Sequence, residues 1–247
     1  MARVAITHPM IVDAVIHPAE LPHLAHRGIA EAVCVVFDIL RATSTMVTAL
    51  EHGVEKIIPA ASIEEALLLK QRYPHAVLGG ERHGDKIAGF QLGNSPLEYL
   101  DQRGATIIST TTNGTIALKA CVGASVVLVG AILNLNALIK AINSLSPARL
   151  VAVCSGTGHG PALEDVWAAG ALVEHFQTAR CTDAASIALA VCKSHPNAAE
   201  ALRASKNGRA LQSRDKLKDI EWAERPSVLE TIGIMRAGVI RKWERDF

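Results

Sequence analysis

The sequence predicts an α/β protein in which helices cover both faces of a largely parallel sheet. Short apolar runs rich in Val, Ile and Leu recur along the chain, and residues 32–37 form an unbroken one. Such runs are too short for stable helices and are typical of strands buried on both faces. Helical patterns separate the runs, for example at residues 164–177, where apolar side chains fall on one side. This alternation favours parallel strands joined by crossover helices.

The individual elements follow from local patterns. Strands are predicted at residues 11–16, 32–37, 56–60, 76–78, 106–109, 126–129 and 150–153, the last of these being the last clear strand. Residues 11–16 alternate only weakly and are expected at an edge of the sheet. A first helix is predicted after Arg41, with Thr43, Ser44 or Thr45 as its N-cap, and a second after a capping box at residues 62–65. A further helix is predicted to begin at Asn134 or Asn136 and to end at about residue 144. The remaining predicted helices span residues 116–120, 164–177, 183–194 and 197–206. A final element is expected at 228–235, and the polar segment 81–96, which contains Phe90 and Leu92, is expected to form an ordered loop.

The composition is that of a soluble globular protein. Apolar residues make up 49% and charged residues 20% of the 247 residues, and the net charge is +1. This balance predicts no attraction to nucleic acid or to an acidic membrane, and no apolar run approaches the roughly 20 residues of a membrane helix. The N-terminus lacks the apolar core of a secretory signal. We therefore expect a cytoplasmic protein with a single domain over residues 1–247, of which residues 1–10 form an N-terminal extension, and leave a homo-oligomer open.

Several motifs of other enzyme classes are absent. The P-loop pattern G-x-x-x-x-G-K-[ST] does not occur, and the ten histidines show no metal-binding spacing. Five isolated cysteines without a C-x-x-C pair argue against a disulfide framework or a zinc site and for a reducing compartment. Cys154 precedes a glycine-rich loop, but Gly160 stands where a C-x5-R phosphate loop needs Arg. Cys154 is therefore predicted to be dispensable for chemistry.

The turn after residues 32–37 is the first candidate for a functional site. Asp38 ends the apolar run, and Arg41 follows three residues later. Ligands of open α/β sheets bind at the carboxyl ends of the strands. Asp38 is a candidate metal ligand or nucleophile, and Arg41 is expected to keep Asp38 ionised and to hold a phosphate oxygen. The alternative is a structural role, in which the two side chains pair with each other or cap the next helix.

Three further polar segments accompany this turn. They are Glu81 and Arg82 with Asn94 and Ser95, the turn Thr111–Thr112–Asn113–Gly114–Thr115, and the loop Ser155–Gly156 leading to Glu164 and Asp165. The threonine-rich turn lies at a predicted helix N-terminus, where hydroxyls, amides and the helix dipole favour an oxyanion. Its alternative role is a plain helix cap. The two adjacent acids project about 100° apart on a helix, which disfavours joint binding of one ion unless the site wraps the helix end.

Together these segments carry a resemblance. In order and spacing, residues 38–43, 80–82, 89–96, 111–115 and 163–165 resemble the 2-phosphosulfolactate phosphatase (ComB-like) family, from about Val12 to Lys242. The resemblance implies a three-layer α/β/α fold and a magnesium-dependent phosphatase. It would convert (2R)-2-phospho-3-sulfolactate to 3-sulfolactate and phosphate, as in coenzyme M biosynthesis. Ser155 departs from the family pattern, which has Ala at this position.

The resemblance and the residue chemistry together assign roles. The catalytic candidates are Asp38, Arg41, Glu81 and Arg82; the substrate-binding candidates are Asn94, Ser95, Thr111, Thr112, Asn113, Gly114, Thr115, Ser155 and Gly156; the candidate Mg²⁺ ligands are Asp38, Glu164 and Asp165. Two mechanisms stay open: the metal activates water, or Asp38 forms an aspartyl-phosphate. The absence of a D-x-D pattern favours the first. The alternative to an enzyme is a non-catalytic binding domain for small phosphorylated or sulfonated acids.

Overall fold

The computed structural model describes residues 9–244, in which eleven strands form one mixed sheet. The strands are β1 (Ile11–Val15), β2 (Ala32–Phe37), β3 (Lys56–Pro59), β4 (Val77–Arg82), β5 (Asp85–Lys86), β6 (Thr106–Thr110), β7 (Val126–Gly130), β8 (Arg149–Cys154), β9 (Arg180–Cys181), β10 (Gly233–Arg236) and β11 (Val239–Lys242). The helices are α1 (Ala42–Glu51), α2 (Ile63–Arg72), α3 (Gly114–Ala120), α4 (Leu135–Leu145), α5 (Leu163–Glu174), α6 (Asp183–Lys193), α7 (Ala198–Ala204), α8 (Lys206–Gln212) and α9 (Leu217–Ala223). The predicted α/β class is confirmed. Most of the predicted extension at residues 1–10 lies outside the described residues.

The sheet consists of two largely parallel groups joined by an antiparallel hairpin, and the short edge strand β5 runs antiparallel to β4. Its strand order is β5-β4-β6-β3-β11-β10-β7-β2-β8-β1-β9. The hairpin β10–β11 lies between β3 and β7 and runs antiparallel to both, with Ile240 opposite Ile57 and Gly233 opposite Val129. The sequence predicted one final element and no strand pair here. Both hairpin strands are only four residues long and their partners lie far upstream, so no local apolar run marks them.

β2 is the central strand that carries the predicted site. It pairs in parallel with β7 on one side and β8 on the other, and all six of its residues are buried. Val33, Val35 and Phe37 face one core layer, and the alternate residues face the other. The prediction of a strand buried on both faces is therefore confirmed, and its rigid end positions Asp38.

The prediction for residues 11–16 is wrong in its placement. β1 pairs with β8 on one side and, through Ile11 and Val12, with the short strand β9 on the other. It is therefore not the edge strand, although only two residues of β9 cover it. The weak alternation reflects burial of Val12, Ala14 and Val15 together with Asp13, whose carboxylate binds Arg27, Arg149 and Thr182.

Other predictions hold in outline. The segment 81–96 is ordered: β5 pairs with the end of β4, and Phe90 and Leu92 are buried. The cysteines are all free, and four of the five are buried. Within residues 9–244, no helix combines the length and the apolar composition needed to cross a membrane.

Candidate active site

Asp38 is fixed at the junction of β2 and α1 by three hydrogen bonds. Its Oδ1 accepts from the Ala42 N–H at 3.0 Å, its backbone oxygen accepts from the Thr43 N–H, and its own N–H donates to Thr43 Oγ1. Helix α1 begins at Ala42, directly after Arg41 as predicted, but Arg41 and not Thr43, Ser44 or Thr45 occupies the N-cap position. Asp38 caps the helix, yet its carboxylate also faces a cavity.

Burial and neighbouring acids make the charge of Asp38 costly. Burial, reinforced by the nearby carboxylates of Glu81 and Glu164, raises the pKa of Asp38 from 3.8 to about 7, although N–H groups of Ala42 and Gly114 bind it. Gly114 approaches so closely that a Cβ at this position would lie 2.7 Å from Asp38 Oδ2 and 2.6 Å from the Ala42 Cβ. The glycine predicted for a turn is therefore required by the contact with Asp38.

Glu81 connects two loops beside Asp38. At the end of β4, its Oε1 accepts from the Thr112 N–H and its Oε2 from the Gly84 N–H, both at 2.7 Å. Its side chain is buried and lines the same cavity as Asp38. Four strands separate β6 from β2 in the sheet, yet residues that follow β2 and β6 line the same cavity as Glu81 of β4.

Glu164 and Asp165 lie in the first turn of α5 and have different surroundings. The Oδ1 of Asp165 accepts from the Ile39 N–H and its Oδ2 from the Gly156 N–H, so this side chain ties the loops after β2 and β8 together. Glu164 Oε1 accepts from Asn207 Nδ2 at 2.6 Å, whereas its Oε2 is buried without a hydrogen-bond partner in the described part of the chain. Burial raises the pKa of both carboxyls.

Arg41 does not neutralise Asp38. Its Nη1 forms a buried ion pair with Asp219 of α9 at 2.6 Å, and its Nη2 donates to the Gly84 oxygen at 2.9 Å. Asp219 in turn accepts from Ser95 Oγ at 2.5 Å. The expectation that Arg41 keeps Asp38 ionised is therefore wrong, since the pKa of Asp38 is raised and Arg41 has its own counter-ion. Arg41 still lines the cavity.

One cavity of about 360 Å³ brings several predicted residues together. Those lining it are Asp38, Arg41, Glu81, Asn94, Thr112 and Asn113. Another part of its lining comes from α8 and the residues after it, namely Lys206, Asn207 and Arg214, which the sequence did not suggest as site residues. Arg214 is paired with Asp85, whereas the Lys206 ammonium group has no hydrogen-bond or ion-pair partner within residues 9–244. The cavity, here called the acid cavity, therefore has a carboxylate wall and a cationic rim.

The remaining predicted residues lie outside this cavity. Arg82 donates to the Glu81 oxygen and to Thr110 Oγ1, and Ser95 binds Asp219. Thr111 and Thr115 cap α3 through each other, because the Thr115 N–H donates to Thr111 Oγ1 and the Thr111 N–H to Thr115 Oγ1. Gly156 donates to Asp165, and Ser155 lines a neighbouring cavity.

Cys154 is buried at the end of β8. Burial, with a contribution from nearby carboxylates, raises the pKa of its thiol well above the ordinary value. A protonated, enclosed thiol is a poor nucleophile, which agrees with the prediction that Cys154 is dispensable.

Comparisons with known proteins agree with the geometry. The model of the 2-phosphosulpholactate phosphatase family matches residues 19–238. A protein of Carboxydothermus hydrogenoformans named "Probable 2-phosphosulfolactate phosphatase" is 37% identical over 90% of this chain and 92% of its own length. Proteins with the same name from Thermotoga petrophila and Deinococcus radiodurans are 38% and 35% identical, each over 83% of this chain and 89% and 88% of their own lengths. The chain therefore belongs to the 2-phosphosulpholactate phosphatase family.

Proposed function

We propose that this protein is a magnesium-dependent phosphomonoesterase that hydrolyses (2R)-2-phospho-3-sulfolactate to 3-sulfolactate and phosphate. The observation that carries the proposal is the acid cavity of about 360 Å³, which is lined by Asp38 and Glu81 and also by Lys206, an ammonium group without a partner among the described residues. Family membership supports the phosphatase class. The resemblance further favours a cytoplasmic role in coenzyme M biosynthesis.

The acid cavity fits a divalent cation. Asp38 and Glu81 line this cavity, and Glu164 and Asp165 are buried near enough to interact with Asp38 electrostatically. The buried cation Arg41 is already paired with Asp219. Uncompensated buried charge is unfavourable, so a bound cation would stabilise these carboxylates. Glu164 Oε2 has no hydrogen-bond partner within residues 9–244, as expected of an oxygen that awaits a ligand.

The number of available acids suits magnesium in particular. In the described part of the chain, no three His, Cys, Asp or Glu side chains are grouped so that they alone could hold a metal. Magnesium usually binds one or two carboxylates and completes its shell with water and substrate phosphate. Asp38 and Glu164 are the proposed ligands. Asp165 holds the loops around them through its hydrogen bonds from the Ile39 and Gly156 N–H groups. The bound ion would offset the charge of the phosphate group.

The substrate carries three anionic groups, and the cavity offers separate donors for them. Arg41 uses two of its five N–H groups on Asp219 and Gly84, which leaves others for a phosphate oxygen. Lys206, which has no partner within residues 9–244, is available for a carboxylate or sulfonate. Asn94 and Asn113 add polar contacts between the two ends. The proposed binding mode thus places the phosphate near Asp38 and a second anionic group near α8.

Asp38 is the proposed catalytic group for the reaction at phosphorus. With a pKa of about 7 in the absence of a cation, it changes protonation near neutral pH, which suits proton transfer. Two roles follow: Asp38 holds the cation while water attacks phosphorus, or its carboxylate attacks and is released by water. Acid quenching during a single turnover of a radiolabelled phosphate ester separates them, because only the second role leaves labelled phosphate covalently bound to Asp38.

The function is tested by phosphate release from 2-phospho-3-sulfolactate with and without magnesium. A parallel panel contains phosphorylated 2-hydroxy acids that lack the sulfonate. We expect turnover that EDTA stops and added Mg²⁺ restores, with preference for the sulfonated ester. Full activity after metal-free dialysis would remove the metal from the proposal. Tight substrate binding without phosphate release would instead identify a binding domain.

A further inference from the structure

A second, larger cavity adjoins the acid cavity. Its volume is about 740 Å³, and it is enclosed by the 3₁₀ segment Pro18–Arg27, by α3 and by the loop after β8. It shares three lining residues, Thr112, Asn113 and Gly158, with the acid cavity. Only one hydrogen bond is found between the shared residues, from the Gly158 N–H to Asn113 Oδ1 at 3.3 Å. The two spaces are therefore neighbours across a thin partition.

The chemistry of this second cavity differs from that of the acid cavity. Leu21, Pro22, Ala25, Ile116 and Ala120 contribute apolar surface, and the lining contains no Asp, Glu, Lys or Arg. The branched side chain of Ile116 is 45% exposed although it borders a concave surface. Ligand sites of this size typically combine an apolar wall with a few polar groups. His159 is the one basic side chain in this lining, so the second cavity suits an uncharged apolar group better than a sulfonate.

Two hydroxyl groups beside the partition lack partners. Ser155 Oγ and Thr112 Oγ1 are buried and make no hydrogen bond to any described residue. Ser155 lines the second cavity and is 1% exposed, while Thr112 lines both cavities. Buried hydroxyls are normally hydrogen-bonded, so an unpaired pair at a cavity junction indicates a ligand that supplies the missing acceptor or donor.

From this juxtaposition we infer that the protein also hydrolyses phosphate monoesters of 2-hydroxy acids that carry an aromatic group on C3. The phosphoryl group would occupy the acid cavity and the ring the second cavity, with the ester carboxylate near the Ser155 and Thr112 hydroxyls. Water supplies its oxygen to phosphorus, the P–O bond to the alcohol breaks, and the alcohol oxygen takes the proton. This inference rests on the proposed phosphatase activity but not on the sulfonate.

The test compares the phosphate esters of 3-phenyllactate and lactate as substrates. We expect kcat/KM for the phenyl ester to exceed that for the lactate ester at least tenfold. Ala25 is exposed at the cavity rim, so Ala25→Trp places an indole in the proposed ring site. This variant is expected to lower the ratio at least fivefold, whereas the control Ala30→Trp, an exposed alanine outside this lining, keeps the parental ratio.

The inference is overturned if the parental protein's kcat/KM for the phenyllactate ester does not exceed that for the lactate ester. It is also overturned if the parental preference for the phenyllactate ester is high but Ala25→Trp leaves it unchanged. If 2-phospho-3-sulfolactate is hydrolysed but neither of these esters is, the inference is overturned and the proposed function stands. If none of the three esters is hydrolysed, the proposed function fails and binding decides the inference. Melting is then followed with 3-phenyllactate or lactate in the presence of inorganic phosphate. The second site is supported if 3-phenyllactate raises Tm, lactate does not, and the increase is lost in Ala25→Trp. Equal changes in Tm with both acids overturn it.

Discussion

The turn at residues 38–43 and the turn at residues 110–115 both follow a buried strand and lead into a helix, but they use their polar groups differently. In the first, the Asp38 carboxylate faces the acid cavity with a pKa raised to about 7. In the second, the Thr112 and Gly114 amides bind the protein's own carboxylates, Glu81 and Asp38. The threonine-rich turn therefore positions acids. A polar turn at a strand end becomes a reactive site only where its charge lacks a partner.

The largest effect is expected from Asp38→Asn. This change keeps the size of the side chain but removes the charge that a cation ligand or a nucleophile requires. Turnover should fall at least ~10²-fold, about 2.7 kcal/mol of barrier, with the fold intact by circular dichroism. Asp101→Asn, at an exposed aspartate away from the cavity, is the control and should keep parental turnover. Near-parental turnover of folded Asp38→Asn would move the centre of the site away from this turn.

A smaller effect is expected from Gly114→Ala. The added methyl group would meet Asp38 Oδ2 at 2.7 Å and the Ala42 Cβ at 2.6 Å, so the carboxylate must shift. Misplacement of a reacting group commonly lowers the rate strongly, and we expect a loss of roughly tenfold or more in kcat. The matched control is Gly160→Ala, where the new Cβ meets nothing within 4 Å. Equal activities of the two variants would show that the close contact with Asp38 has no catalytic consequence.

The smallest effect on turnover is expected from Thr111→Val, which separates a helix cap from an anion site. Loss of the bond from the Thr115 N–H to Thr111 Oγ1 should reduce the free energy of unfolding by about 1 kcal/mol, a decrease in Tm of roughly 2–4 °C. Thr112→Val loses no such bond within the described chain and should be destabilised less. Inorganic phosphate should still protect Thr111→Val against heat. Loss of that protection would assign the turn to oxyanion binding after all.

Local patterns predicted the central part of this protein well. The apolar run at 32–37 is long and uninterrupted, so both its burial and the position of Asp38 at its end followed from the sequence. The family resemblance depended on several short segments whose combination is specific, and the family match confirms it. The order of the segment 81–96 followed from two apolar residues within a polar stretch.

The missed features depend on contacts between distant segments. Asp219 pairs with Arg41, and Asn207 with Glu164, across long stretches of chain. Lys206 reaches the acid cavity only because the short helix α8 packs over it, and its sequence neighbours carry no functional signal. The hairpin β10–β11 joins the two halves of the sheet by pairing with strands far upstream. A single Asp or Lys in a mixed helix gives no local sign of these partners.

The central claim is that the buried carboxylates around Asp38 form a cation site that holds protons when it is empty. Isothermal titration of the substrate-free protein with Mg²⁺ at pH 6 and pH 8 tests it directly. A cation must displace the proton of Asp38, so affinity should rise with pH through about 7, by about tenfold between these two values, with protons released on binding. Glu164→Gln should weaken binding at both pH values, and the exposed control Glu200→Gln should not. Absence of Mg²⁺ binding, or an affinity that is the same at pH 6 and pH 8 without proton release, would contradict the account.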